Sequence, residues 1–291
     1  MVQATQEGQE GLDHPPDRVE IGSARHKELF CAMLLDTFDP YRPAVIPWPS
    51  LSHEAHLRLV NLPFWDMAIE TEENAGLRMQ AFADSTSDAL IQKAVALNAF
   101  EERRHKEVLG HMMRFYGIAV SRDIHAKPLR DPRWAFLRTG YGECFDSFFA
   151  FGLFELARRA GFFPRELVEV FEPVIQEEAR HNLFFVNWVA YTRANLGWSR
   201  QPRFLAQRAA ALAVQIANRV SAAKGGGGNN FTLEGGEALG LDMNLRSFLQ
   251  LCLMENERRM TRYDARLLRP RLMPAVARLT IRLLRPSDAR G

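Results

Sequence analysis

Two pentapeptides constrain this chain more than any other feature. Glu101-Glu102-Arg103-Arg104-His105 and Glu177-Glu178-Ala179-Arg180-His181 both read E-E-x-R-H, and only three Glu-Glu pairs occur in all 291 residues. Both lie inside long stretches of helical periodicity, ALIQKAVALNAFEERRHKEVLGHMMRFYG and FFPRELVEVFEPVIQEEARHNLFFVNWVAYTRANLG. Positions i and i+3 share a helix face, so Glu102 sits with His105 and Glu178 with His181. The first face is otherwise Ile91, Val95, Ala99, Leu109 and Met112; the second is Phe171, Val174, Ile175, Phe185 and Val189. Each motif is therefore expected to turn a carboxylate and an imidazole into the core. Unpaired buried carboxylates are costly, so something must compensate them. Two such turns facing each other make a site for divalent cations, and carboxylate with imidazole suits iron or manganese without excluding zinc. The alternative is buried Glu–Arg or Glu–His pairing without metal. Glu101 and Glu177 lie about 100° round the helix from their neighbours. They are expected at the surface or behind the site, paired with Arg104 and Arg180.

The rest of the chain reads as helices and loops. Residues 1–22 are polar with little to bury and are expected to be disordered. A short helix, ARHKELFCAMLLDTF, precedes DPYRPAVIPWPSLS, whose four prolines predict extended loop. Ser52 offers a cap for a helix through about Val60. Four long helices are expected over residues 61–197. The first follows Pro63, the second follows the DSTSD turn and ends at Gly117, the third ends at Gly161, and Pro173 kinks or divides the fourth. The connection IAVSRDIHAKPLRDP is long enough to cross a bundle from end to end. Residues 198–291 form a C-terminal extension of two helical stretches, the second being LRSFLQLCLMENERRMTRYDARLLR, with a flexible Gly-rich link at 224–230 and an Arg-rich tail. No strand or solenoid repeat is evident, so the class is all-α.

These residues and spacings resemble the ferritin-like di-iron carboxylate proteins, of rubrerythrin or di-iron oxygenase type. Their pattern is one Glu from each of two helices and Glu-x-x-His from each of the other two. The resemblance covers roughly residues 60–196 and implies a four-helix bundle with additional N- and C-terminal helices. It demands a Glu on the helix before each motif. For the first, Glu70, Glu72 and Glu73 compete; Glu72 lies on the apolar stripe with Trp65, Ala68, Ala75 and Met79 and is preferred. For the second, Glu143 and Glu155 compete. Glu143 is preferred, since its face carries Gly140, Ser147, Ala150 and Phe154, read as leaving room beside a metal, whereas Arg158 and Arg159 can pair with Glu155. The ligand set implied is Glu72, Glu102, His105, Glu143, Glu178 and His181. Its four carboxylates would neutralise two divalent ions. The resemblance implies two iron ions, with manganese as the alternative, O2 as co-substrate, and an oxygenase or oxidase acting on an organic substrate. Other readings are an iron-binding ferroxidase, a manganese catalase-like protein, and a metal-free helical interaction module.

Composition bounds the partners. The chain is 47% hydrophobic and 25% charged, which excludes a disordered, collagen-like or disulfide-scaffold protein. Three cysteines read as reduced thiols, no apolar run is long enough to cross a bilayer, and no signal peptide is recognisable, so a cytoplasmic location is expected. Net charge is +2, yet from Arg258 onward ten Arg face only Asp264 and Asp288. This basic tail is expected to fold back onto acidic helices, with membrane-surface contact the lesser reading. Further partners expected are a small-molecule substrate, an electron-donor protein and a second copy in a homodimer; nucleic acid is not expected.

Overall fold

The structure, a computed structural model, describes residues 19–119, 129–223 and 244–284. Among them every regular element is helical. The elements are α1 (Ala24–Asp36), α2 (His53–Val60), α3 (Trp65–Ser85), α4 (Ala89–Tyr116), α5 (Pro132–Ala160), α6 (Arg165–Val170), α7 (Glu172–Asn195), α8 (Gln201–Ala223), α9 (Leu245–Met260) and α10 (Leu272–Leu283). Of the disordered tail expected at 1–22, residues 1–18 lie outside the described residues, as does the Gly-rich link expected at 224–230; residues 19–22 are described, and the Gly22 carbonyl accepts from Asn195 at 2.9 Å.

Local chemistry sets the ends. The side chains of Ser23, Ser52, Asp88, Asp131 and Asn244 each accept a hydrogen bond from a main-chain N–H in the first turn of α1, α2, α4, α5 and α9. Such caps satisfy donors the helix leaves open and contribute about 1 kcal/mol each. Gly117 and Gly161 stop α4 and α5 in the left-handed region, at φ of +71° and +63°. Pro173 falls in the first turn of α7 and divides it from α6.

The four long helices close a ring. The chain between α3 and α4 is a three-residue turn, so the two run antiparallel. α3 packs on α4 and α5, while α7 packs on α5 and α4, leaving α4 and α5 diagonal to each other. α1 lies against both α4 and α7; α9 covers α5 and α7; α8 and α10 rest on α5. One end of the ring is filled by aromatics. Phe82 stacks on Phe136 at 4.1 Å, and both meet Trp188 edge-on at 5.2 and 4.8 Å. The other end holds Phe64, Ile69, Met112, Met113 and Tyr116. On α3 and α4 the charged residues of interest fall between these two apolar plugs.

Two elements depart from expectation. The helix expected over 245–269 stops at Met260. There the chain turns, with the Asp264 carboxylate accepting from the Arg266 main-chain N–H. The buried Asn187 side chain then clasps both the N–H and the carbonyl of Leu268, at 2.9 Å each. The segment read as a tail contains α10, with Pro274 in its first turns, where a missing N–H costs no intrahelical bond. In the Pro-rich segment a short 3-10 turn, Pro43–Val45, interrupts the extended path.

Candidate metal centre

All six residues inferred from sequence converge. Glu72 comes from α3, Glu102 and His105 from α4, Glu143 from α5, and Glu178 and His181 from α7. They form two groups, Glu72/Glu102/His105/Glu178 and Glu102/Glu143/His181, and within each group the donor atoms lie within 4.8 Å of one another. Glu102 belongs to both. His105 Nδ1 stands 3.4 Å from Glu72 and 3.4 Å from Glu178, and His181 Nδ1 stands 2.9 Å from Glu102. The two imidazoles are 5.8 Å apart between ring centroids.

What these atoms lack is more informative than what they touch. Both oxygens of Glu143, Oε1 of Glu102, and Nδ1 of His105 and of His181 are buried without a hydrogen-bond partner. Glu102 Oε1 and His181 Nδ1 face each other at 2.9 Å, whereas the two Glu143 oxygens have no such neighbour, which native interiors rarely leave. Among the described residues, the ion pairs of the inner carboxylates are all with the two histidines. The donor set fits divalent cations: oxygen and imidazole nitrogen, aimed inward and carrying excess negative charge.

Behind the histidines lies a second, closed arrangement, which decides between the two places expected for Glu101 and Glu177 in favour of the one behind the site, paired with Arg104 and Arg180. Glu101 and Glu177 are neither at the surface nor paired chiefly within their own motifs; both are buried and cross to the opposite motif. Glu101 meets His181 Nε2 and accepts from the Arg180 guanidinium, both at 2.8 Å. Glu177 meets His105 Nε2 at 2.8 Å and accepts from Arg104 at 2.5 Å. The crossing follows from the antiparallel run of α4 and α7, which sets the first residue of each motif level with the last residue of the other. Arg104 and Arg180 also reach the chain that follows α1. Arg104 donates to the Asp39 carbonyl at 2.5 Å, and Arg180 to those of Leu34 and Thr37 at 3.0 and 2.9 Å. α1 and its following segment thus seal the α4–α7 side. With Nε2 held by an outer carboxylate, each histidine directs Nδ1 inward, where loss of its proton would free a lone pair for a cation.

Ionisation follows from these neighbours. Burial pushes the Glu72 carboxyl up to about 8, against the pull of His105. Burial, with the charges of Glu102 and Glu178, lifts Glu143 well above the ordinary carboxylate range. Burial also opposes the charged forms of Glu178 and Glu101, but the histidines they face hold both below the ordinary value. For His105 and His181, burial favours the neutral ring and is outweighed by surrounding carboxylates, Glu177 foremost for the first and Glu102 for the second, so both rise well above 6.5.

The competing acids stay outside the cluster. Glu73 pairs with Lys106. Glu155 accepts from Arg158 and Arg159 at 2.7 and 2.6 Å, as its spacing suggested. Glu70 is absent from both groups. The room expected beside Glu143 is not at Gly140: a Cβ there would lie 2.2–2.6 Å from the Phe185 ring, which occupies that space. Two participants were not anticipated. Tyr41 donates its hydroxyl to Glu177 at 3.2 Å and lies 3.9 Å from the Arg104 guanidinium; nothing in the Pro-rich segment marked it. Ser147, one turn beyond Glu143, donates to Glu178 at 3.3 Å, and its place on the Glu143 face was the available signal. No known family model, curated protein or solved structure matches this chain.

Proposed function

We propose that this chain is a ferritin-like di-iron carboxylate protein, an O2-activating oxidoreductase acting on an organic substrate. The observation that carries the reading is the convergence of four carboxylates and two imidazoles in two groups, in which both buried oxygens of Glu143 have no hydrogen-bond partner. Glu72, Glu102, His105 and Glu178 would hold one ion, and Glu102, Glu143 and His181 the other, with Glu102 shared. Four carboxylates neutralise two divalent cations, which a buried site requires. The diagonal placement of α4 and α5 supports the bundle assignment, because the long connection between them is the crossover of ferritin-like folds. A pair of iron ions held there supplies the two electrons that O2 reduction needs.

The chain's own residues define the rest. Glu101 and Glu177 fix the tautomer and orientation of His181 and His105, and Arg180 and Arg104 fix those carboxylates in turn. The apolar plugs at both ends exclude water. Glu72 and Glu178 keep 20% and 16% of their side chains exposed, against 3% or less for Glu102 and the histidines, so a substrate approaches from their side. The helices added around the ring favour an enzyme over a storage cage, whose subunits must pack through those outer faces.

Metal analysis of protein produced on iron or manganese tests the reading. About two ions per chain are expected, with His105→Ala or His181→Ala halving or abolishing them. Ferrous protein mixed with O2 should develop a transient visible band. Unchanged metal content in both variants removes the ligand assignment. Cage assembly with mineral uptake would favour storage, and peroxide breakdown by manganese-loaded protein the catalase-like reading. Native protein without metal, destabilised by both substitutions, would favour a metal-free module.

A further inference from the structure

The basic C-terminal region divides into two parts that behave differently. Arg258, Arg259 and Arg262 fold back onto Glu172 of α7, at 3.9, 2.9 and 3.4 Å. Arg271, Arg278 and Arg282 do not; they are exposed, and no Asp or Glu occurs from Ala265 to Ser287. The helix that carries Arg278 and Arg282 has two apolar faces. Met273, Ala277 and Ile281 pack against Phe145 and Phe148 of α5 and Leu249 and Cys252 of α9. Leu272, Val276, Leu279 and Leu283 point the other way and are 46–74% exposed. Their spacing of four, three and four residues makes one continuous stripe along a helix about 18 Å long, with the arginines along one margin. The Arg246 guanidinium bonds the Leu284 carbonyl at 2.5 Å and pins the end of the helix to α9.

We propose that this stripe docks the protein on an anionic lipid surface, the four aliphatic side chains entering the acyl boundary and Arg271, Arg278 and Arg282 meeting headgroup phosphates. Two arguments favour a bilayer over a second copy of the chain. The exposed charges that the helix itself sets beside the stripe, Arg271, Arg278 and Arg282, are all basic, which complements anionic headgroups. Four part-exposed side chains on so short a helix also fall short of the roughly 800 Å² per partner that a stable protein interface buries, whereas insertion into a lipid interface requires no matching surface and uses just this pairing of aliphatic and basic residues. No described helix is long and apolar enough to cross the membrane, so the contact is peripheral.

Co-sedimentation of the full chain with vesicles tests this. The protein should pellet with vesicles containing phosphatidylglycerol, less so as salt rises, and not with pure phosphatidylcholine. Leu279→Glu/Leu283→Glu should weaken binding at least ~tenfold, with thermal melting and metal content unchanged as the check on folding. Arg278→Gln/Arg282→Gln leaves the stripe intact and should lose most of the salt-dependent binding. The proposal is overturned if the wild type does not pellet, if it pellets equally with uncharged vesicles, or if either variant binds like the wild type. It is overturned equally if light scattering without lipid shows a dimer that Leu279→Glu/Leu283→Glu dissociates, since the stripe then belongs to a second copy.

Discussion

Glu101 and Glu102 are adjacent, both buried, and electrostatically unlike. Glu101 has Arg180 and His181 at 2.8 Å and needs nothing more. Glu102 has an imidazole nitrogen at 2.9 Å, yet its Oε1 makes no hydrogen bond. The second motif repeats the contrast. Glu177 is held by Arg104, His105 and Tyr41, while Glu178 is offered only His105 Nδ1 at 3.4 Å and the Ser147 hydroxyl at 3.3 Å. A rotation of about 100° separates a carboxylate held by arginine and histidine from one that faces other carboxylates and a histidine. The outward face meets arginines and the α1 segment; the inward face meets other acids, two histidines and the Ser147 hydroxyl. The same residue type in the same motif therefore serves opposite ends, one as part of the scaffold and the other as part of the inward-facing cluster.

The largest effect should separate the two rings in metal-free protein. Glu101→Ala strands Arg180 and His181 in the interior and should cost about 3–5 kcal/mol. Glu143→Met removes a carboxylate with no partner at either oxygen, fills similar volume, and should leave chelator-treated protein as stable as before or about 1 kcal/mol more so, while lowering metal occupancy of the second group. Urea unfolding of both variants, with metal analysis alongside, makes the comparison. The reverse order of stabilities would mean that the inner ring, not the outer, holds the fold together.

The next effect is pH dependence, and its sign follows from the raised groups. In metal-free protein Glu72, at about 8, Glu143, His105 and His181 all hold protons more tightly folded than unfolded. Their contribution to stability is present at low pH and is lost as pH rises through the folded values. For Glu72 the window runs from its ordinary 4.5 to about 8. Metal-free protein should therefore weaken as pH rises from about 4.5 to about 8 through Glu72, by up to about 1.4 kcal/mol per pH unit for each proton involved, with the histidines adding to the loss above their ordinary 6.5. Metal binding must displace the same protons, so apparent affinity should rise across that range. Thermal melts of apo and loaded protein against pH should diverge; parallel curves would show that cation and protons do not compete for these residues.

Much of this was legible because helical geometry is local. Spacing of three placed Glu102 with His105 and Glu178 with His181, and Ser52 and Gly117 announced helix ends through capping and the left-handed turn alone. The choice of Glu72 and Glu143 also drew on the resemblance and on antiparallel register. The crossing of Glu101 and Glu177 was not legible, because it depends on how two helices distant in sequence are levelled against each other. Tyr41 was hidden for the same reason: its partner is 136 residues away. Gly140 misled because an absent side chain can mean either an empty space or one filled by a neighbour, here Phe185. α10 was missed because prolines and arginines obscured a short amphipathic repeat.

The smallest effect sharpens the comparison at its nearest control. Glu73 is next to Glu72 but faces Lys106, with about a quarter of its side chain and over a third of the lysine's exposed (26% and 37%). Part-exposed pairs of this kind contribute about 0.2–1 kcal/mol, and this one bridges α4 to α3 without reaching the cluster. Glu73→Gln should therefore shift the denaturation midpoint only slightly and leave metal content untouched, whereas Glu72→Gln should remove a donor from the first group and lower its occupancy. Measured together, the two substitutions test the orientation of α3. If Glu73→Gln lost metal and Glu72→Gln did not, the helix would have to be turned by about 100°, and the inward face assigned to it would be the wrong one.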